Sequence, residues 1–409
     1  MNAPMPPRSV ETAPSPRVST LQTRLHRFMH TVVLPHEGAI NAALRLSATR
    51  PQDAVGPLLA PLRQKAQLAG LWNLFLPISP RASQGLSHWE YAPMIEAMGH
   101  IPWAAEVFNS AQPDAGNMQL LDSYGSEALK DAWLDPLLRA ETRSAWAAAE
   151  PDAELHNPDS LQCHATQDGN SWRLSGQKTW VQGLLDPRTA SLLVLCRTDA
   201  QAALHRQFSV LLVPLKTDGV QIGRHLQGWG TAQKALAEVS FENARVPIHH
   251  VLGQPGQGLE ILQARQRIVG LHDALWCLGA AERALDLLIA RLQTRRIGEQ
   301  LAVHHPVWQQ RIARTRTGLD TTRMLARRSA WQMDQNDSHL PPQELAMLQS
   351  LALPLAVDAV QWSILAHEAD ALDDSLPLAG LSAQLRLMQQ LTPPIEVLHA
   401  QIAQGELLR

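Results

Sequence analysis

The chain has 409 residues, 45% of them hydrophobic and 18% charged, which excludes an intrinsically disordered protein and exceeds what one core usually holds. Its 38 acidic and 35 basic residues give a formal net charge of -3, so it offers no global attraction to nucleic acid or anionic lipid. Three scattered cysteines, Cys163, Cys196 and Cys277, show no CxxC spacing, which excludes a disulfide framework and gives no metal site.

Residues 1–20, MNAPMPPRSVETAPSPRVST, contain Pro and Ser but no apolar segment, and read as a disordered leader rather than a secretory signal. From Leu21 the apolar residues Leu25, Phe28, Met29 and Val32 follow at helical spacing, and Pro35 is expected to close that helix. A second stripe, Leu129, Trp133, Leu134 and Leu137, starts after Gly125 with Ser126 in the N-cap position. Residues 21–142 therefore read as a helical domain.

The pattern changes near Ser144. SWRLSGQKTWVQG, ASLLVLCRT, QFSVLLVPL and ALAEVSFENARVP are short, rich in Val, Leu and Trp, and separated by turn residues such as Asp168-Gly169-Asn170. No helical crossover separates them, so residues 143–252 predict a compact antiparallel β domain. After Gly253–Gly258 the helical period returns in three long segments, and residues 253–409 predict a four-helix bundle with a kink at Pro354. No run of roughly twenty uncharged apolar residues occurs, so no membrane span is expected, and the reduced cysteines suit a cytoplasmic location.

Several ordered stretches resemble the acyl-CoA dehydrogenase family, closest to the branch acting on long or 4-hydroxylated acyl chains. GLWNLFLP (70–77), GLSHWEYAPMIEAMGHIPWAAEVFN (85–109) and GNMQLLDSYGSEALKDAWLDPLL (116–138) resemble its amino-terminal helical domain. AEPD (149–152), SGQKTW (175–180) and EVSFENARVP (238–247) resemble its β-domain signatures, and GAAERALDLL (279–288) the start of its bundle. The resemblance implies an α+β fold of helical domain, antiparallel β barrel and four-helix bundle. It further implies FAD between barrel and bundle, an acyl-CoA or other acyl thioester as substrate, α,β-dehydrogenation with a carboxylate base, and an electron-transfer flavoprotein as electron acceptor.

Carried over position by position, the resemblance places Ala149, Glu150, Trp180 and Gln182 at the flavin, with Ala149 standing where the family has Thr. Trp180 reads either as a cover on the flavin face or as strand core, and Glu150-Pro151 either as a cofactor loop or as a structural corner. For the FAD diphosphate the candidates are Arg295, beside the aligned Thr294, and Gln361, whose following residues Trp362–His367 replace a glycine-rich loop. Toward the thioester, Gly270-Leu271-His272-Asp273 stands where related sequences carry Arg-x-His-His, which leaves His272, with Arg265 and Arg267 upstream as contacts to a CoA phosphate or as a solvated helix face. Thr392 and Pro393 replace the branch's catalytic Asp, so Glu396 is the nearest carboxylate, either a base or a complement to its helix dipole.

Two functions therefore stand open: an FAD-dependent dehydrogenase with an altered base, and a flavin-deficient relative that binds an acyl thioester or serves a partner subunit. The run Arg311, Arg314, Arg316, Arg323, Arg327 and Arg328 is the one feature suggesting nucleic acid, and against a slightly acidic chain it reads better as an interface or phosphate contact. Long amphipathic helices in the last third suit a homodimer or homotetramer.

Overall fold

A computed structural model describes residues 14–46, 51–153, 157–228, 230, 234–335, 340–373 and 375–408. Its first element, α1 (Pro16–Phe28), begins inside the expected leader, because Ser15 caps it by accepting the Val18 N–H at 3.3 Å and Pro16 suits the first helical position. Residues 1–13 of that leader lie outside the described residues. The closure expected at Pro35 does not occur. A π-helical turn, Met29–Val33, and a 3-10 turn, Leu34–His36, carry the chain directly into α2 (Glu37–Leu46). Pro35 sits in the first turn of the 3-10 segment, where a missing N–H is tolerated.

The helical domain continues through α3 (Pro51–Leu68), α4 (His88–Gly99), α5 (Asp114–Tyr124), α6 (Glu127–Leu129) and α7 (Asp135–Leu138). Ser87 and Glu90 close a reciprocal capping box at the start of α4. The stripe after Ser126 is confirmed in its burial: Leu129, Leu134 and Leu137 are all enclosed.

Eight strands follow: β1 (Arg143–Ala147), β2 (His164–Asp168), β3 (Ser171–Val181), β4 (Thr189–Arg197), β5 (Phe208–Pro214), β6 (Val220–His225), β7 (Ala237–Pro247) and β8 (Val251–Leu252). They form one sheet in the order β6-β7-β3-β2-β4-β5-β8, with β1 branching onto β4. The sheet wraps a core of its own that includes Cys163, Leu174, Val194, Val239 and Phe241. The all-antiparallel expectation needs correcting at β4, which β1 pairs in parallel along its length and β2 meets in parallel at His164 and Arg197. The β2–β3 hairpin lies within the connection from β1 to β4 and supplies the length a parallel crossover needs.

The carboxyl-terminal third is α8 (Gly258–Leu292), the small ladder β9 (Arg296–Ile297) and β10 (Gln300–Leu301), then α9 (Pro306–Met333), α10 (Pro342–His367), α11 (Leu378–Leu391) and α12 (Ile395–Leu407). α8 crosses α4 where glycine meets glycine: a Cβ on Gly279 would stand 2.8 Å from the Gly99 Cα. The segment Pro342–Leu372 is long and apolar enough to cross a membrane by length and composition, although it carries Glu344, Asp358, Glu368 and Asp370; half of its apolar window is buried inside the protein. The basic run on α9 is largely consumed internally. Arg323 pairs with Glu96 at 2.6 Å and with Glu282 at 2.9 Å, Arg316 pairs with Glu282, Arg328 pairs with Glu344, and Arg311 stacks on Trp362.

Candidate active site

Strands β1 and β3, the first half of α8, the start of α10 and the α11–α12 junction enclose a cavity of about 650 Å³, a size suited to a cofactor or large ligand. A smaller cavity of about 130 Å³ lies among the amino-terminal helices, and the two share Gln112, Lys234, Asp273 and Met388. Leu44, Val55, Leu59, Ile95, Met98 and Trp103 give the smaller one an apolar wall. Its opposite end is charged: Glu106 pairs with Arg63 at 2.8 Å and with Arg143 at 2.5 Å. Burial raises the Glu106 pKa, but the two guanidinium groups outweigh it and hold it at about 2.

The β wall is set by one buried ion pair. Lys178 Nζ, with no solvent exposure, donates to Glu150 Oε1 at 2.7 Å and to the Ala148 carbonyl at 3.0 Å. The Glu150 carboxylate also accepts the Gln162 N–H at 2.6 Å and the Cys163 N–H at 3.1 Å. Glu150 is thereby corrected from cofactor contact to loop anchor, since its oxygens are engaged within the β domain and it does not line the cavity. Its neighbour Ala149 does line it, tied by its carbonyl to the Thr179 N–H at 3.0 Å. Gly176 fits the same packing, because at φ +135° any Cβ would meet Cys163 Cα at 2.7 Å.

Trp180 is not strand core. It sits where β3 slips register against β7, at φ +52°, with its side chain on the cavity wall and 44% exposed. A bulge that turns a large flat side chain outward, at a backbone angle unfavourable for a bulky residue, is a feature that ligand contact explains and packing does not. Gln182 lines the cavity beside it and bridges to Trp146.

From α8 come Arg265, Arg267 and Asp273 on the larger cavity and His272 on the smaller. Burial pushes the His272 pKa down to about 3, with His88 adding to the effect, so this imidazole is neutral at ordinary pH. Burial also pushes Arg265 down to about 9, with Asp273 opposing. The Arg265 guanidinium lies over the Trp146 ring at 4.5 Å, and its Nε reaches only Asn117 Oδ1, at 3.4 Å. Sequence reasoning pairs Arg265 with Arg267 as a phosphate contact and keeps His272, but gives Asp273 no role. The available signal was charge placed inside the long apolar period of α8.

The remaining candidates fall elsewhere. Thr392 and Pro393 reach the large cavity, whereas Glu396 is exposed in the first turn of α12 and outside either lining. Arg295 pairs with Glu368 at 2.6 Å and donates to the Ala366 carbonyl, and Arg291 pairs with Asp370 at 3.3 Å. Gln361 is exposed on α10, away from both cavities of this chain, and Trp362 lies under Arg311 at 3.7 Å.

The comparisons agree with this layout. A model of the acyl-CoA dehydrogenase middle domain matches residues 145–244, and one of the acyl-CoA dehydrogenase C-terminal domain matches residues 256–407. The chain is 36% identical to FadE2 of Mycobacterium tuberculosis, covering 98% of both chains. It is 33% identical to human acyl-CoA dehydrogenase family member 11 over 94% of this chain and 49% of that one, so it spans about half of that longer relative. A solved Mycobacterium abscessus structure described as an acyl-CoA dehydrogenase superposes with a TM-score of 0.89 at 32% identity, covering 97% of this chain and 99% of that one. A glutaryl-CoA dehydrogenase bound to glutaryl-CoA shares the fold at a TM-score of 0.83 and 21% identity, over 96% of this chain and 95% of that one. With both family domains matched in order and a relative aligned end to end, the chain belongs to the acyl-CoA dehydrogenase family.

Proposed function

We propose that the protein dehydrogenates the α,β bond of an acyl-CoA thioester, using FAD held in the large cavity. The observation that carries this reading is Trp180, an indole presented by a β-bulge on the wall of a cavity of about 650 Å³ between β domain and bundle. The residues present fit the flavin ring: Ala148, Ala149 and Thr179 offer a low wall, Trp180 a flat face, and Arg265 a buried cation. When bound, FAD supplies the acceptor for the hydrogen leaving the β carbon.

The chain's own residues set the surroundings. The apolar wall of the small cavity receives the acyl chain, and Arg63 and Arg143, paired with Glu106 and Asp114, close its far end with their charges balanced. Neutral His272 lines that cavity without adding charge. Thr392 to Pro394 border the large cavity on the bundle side. Electrons then pass to an electron-transfer flavoprotein. Met324, Leu351 and Leu365, exposed on the bundle helices, support pairing with a second copy.

A specific observation favours a second reading, a member that has given up flavin. Arg295 is held by Glu368, and Ile364, Leu365 and His367 replace glycines that would let backbone approach a diphosphate. The test is the visible spectrum of the protein as isolated and after incubation with FAD. Flavin absorption that bleaches anaerobically on adding acyl-CoA is the expected result. A colourless protein that takes up no FAD overturns the dehydrogenase reading and leaves thioester binding alone.

A further inference from the structure

The reaction proposed above needs a carboxylate beside the acyl α carbon, and the segment that resembles the family's base-bearing run brings Thr392 and Pro393 to the cavity wall instead. Neither accepts a proton at neutral pH. Glu396, the nearest carboxylate in sequence, is exposed outside both linings. Among the described residues lining the large cavity, Asp273 is the one carboxylate. It also lines the small cavity, where the other two carboxylates are engaged, Glu106 by Arg63 and Arg143 and Asp186 by Arg188.

Position strengthens the argument. A flavin held against Trp180 would fill the large cavity and an acyl chain the small one, which would put the carbons to be oxidised where the two cavities meet. The residues common to both linings are Gln112, Lys234, Asp273 and Met388, and of these only Asp273 carries a base. Among the described residues its carboxylate makes no hydrogen bond or ion pair. It is carried in mid-helix by α8, which Gly279 locks tightly against α4, so its placement is rigid. The departures from family pattern also match one another: an acid has appeared at the last position of Arg-x-His-His in a chain whose acid near the carboxyl end has gone.

We propose that Asp273 is the general base that removes the α proton of the thioester. The α proton passes to the Asp273 carboxylate, and the C–H pair becomes the second bond between the α and β carbons. The large cavity would hold FAD as the acceptor for the β hydrogen and its electron pair, so that the acyl chain would be oxidised and the flavin reduced. Burial raises the basicity of Asp273 above the ordinary carboxylate range, with Lys234 and Arg265 opposing the rise.

This assignment rests on the dehydrogenase reading, and one experiment separates their failures. Purified protein is incubated with dodecanoyl-CoA in deuterated buffer, and α-deuterium uptake is followed by mass spectrometry alongside flavin content and thioester affinity. Wild type is expected to exchange the α proton. Asp273→Asn is expected to slow exchange by about a hundredfold or more with flavin content and affinity retained. Asp273→Glu keeps the charge and so protects the fold; displacing the carboxylate by one methylene is expected to slow exchange roughly tenfold or more. Wild-type exchange persisting at an equal rate in Asp273→Asn overturns Asp273 and leaves the dehydrogenase reading standing, as does an Asp273→Glu variant that exchanges no faster than Asp273→Asn. A wild type that holds no flavin and shows no exchange overturns both.

Discussion

The Arg265 guanidinium carbon stands 4.5 Å from the centroid of the Trp146 indole, linking the first bundle helix to the first strand of the β domain. Arg265 is buried, and its only hydrogen bond among the described residues is a long one to Asn117. A buried cation with so few partners is a cost to the fold. Its pKa of about 9 lies below the ordinary Arg value, so the destabilisation is present at neutral pH and fades as pH rises through 9. Arg265→Met removes that cost and loses a cation–π contact, and the net change expected is a gain of about 1 kcal/mol in the ligand-free protein. Urea denaturation checks it; a variant less stable than wild type shows that the guanidinium is well satisfied. Reduced FAD uptake in the same variant supports a role facing the flavin.

The Lys178–Glu150 pair makes the opposite case. Both groups are buried and each has further hydrogen bonds, so removing one partner strands the other. Lys178→Met is expected to destabilise the protein by about 3–5 kcal/mol, and Lys178→Met with Glu150→Gln to recover part of the loss. Thermal unfolding of both variants is the measurement. A double variant no better than the single one places the loss in packing rather than in stranded charge.

Gly279 opens the stretch GAAERALDLL because two helices touch there. An added Cβ would stand 2.8 Å from the Gly99 Cα and collide with the Glu96 carbonyl, and neither backbone can yield without separating α8 from α4. Gly279→Ala is therefore expected to lower stability by about 2–3 kcal/mol despite the higher helix propensity of Ala. Gly298, whose Cβ meets open space but whose φ is +61°, serves as a control in a turn. An unchanged unfolding midpoint in Gly279→Ala contradicts the close crossing.

These cases show what the sequence made legible. Helical period written over long stretches such as α8 and α9, and short Val- and Leu-rich runs between turns, were enough for the order helical, β, helical. The destination of individual charges was not legible. Glu150 reads as a cofactor-loop residue by motif, yet its oxygens turn to Lys178, a contact fixed by how β3 lies beside the loop. Arg295 reads as a phosphate ligand, yet Glu368 lies 2.6 Å away across a distance in sequence that no local pattern spans. Asp273 looks like one charge on a helix until α11, the β6–β7 loop and the segment around Gln112 enclose it. Even the tryptophan excess divides only in three dimensions: Trp103 donates to Asn41 in the core, while Trp180 faces the cavity.

Stability should also depend on pH through His272. Burial lowers its pKa to about 3 from an ordinary 6.5, with His88 as a second cause. Above pH 6.5 the imidazole is neutral whether the chain is folded or not, and the full stability is present. As pH falls below 6.5 the unfolded chain takes up a proton that the folded chain refuses until pH approaches 3, so stability is lost across that window. One such group contributes a slope of about 1.4 kcal/mol per pH unit. Between pH 7 and pH 5, wild type is therefore expected to lose about 2 kcal/mol more than His272→Leu, whatever the baseline stability of the variant. His88, also lowered by burial, leaves a residual slope in that variant. Urea midpoints at the two pH values measure the difference, and parallel losses in the two proteins show that His272 accepts its proton in the fold.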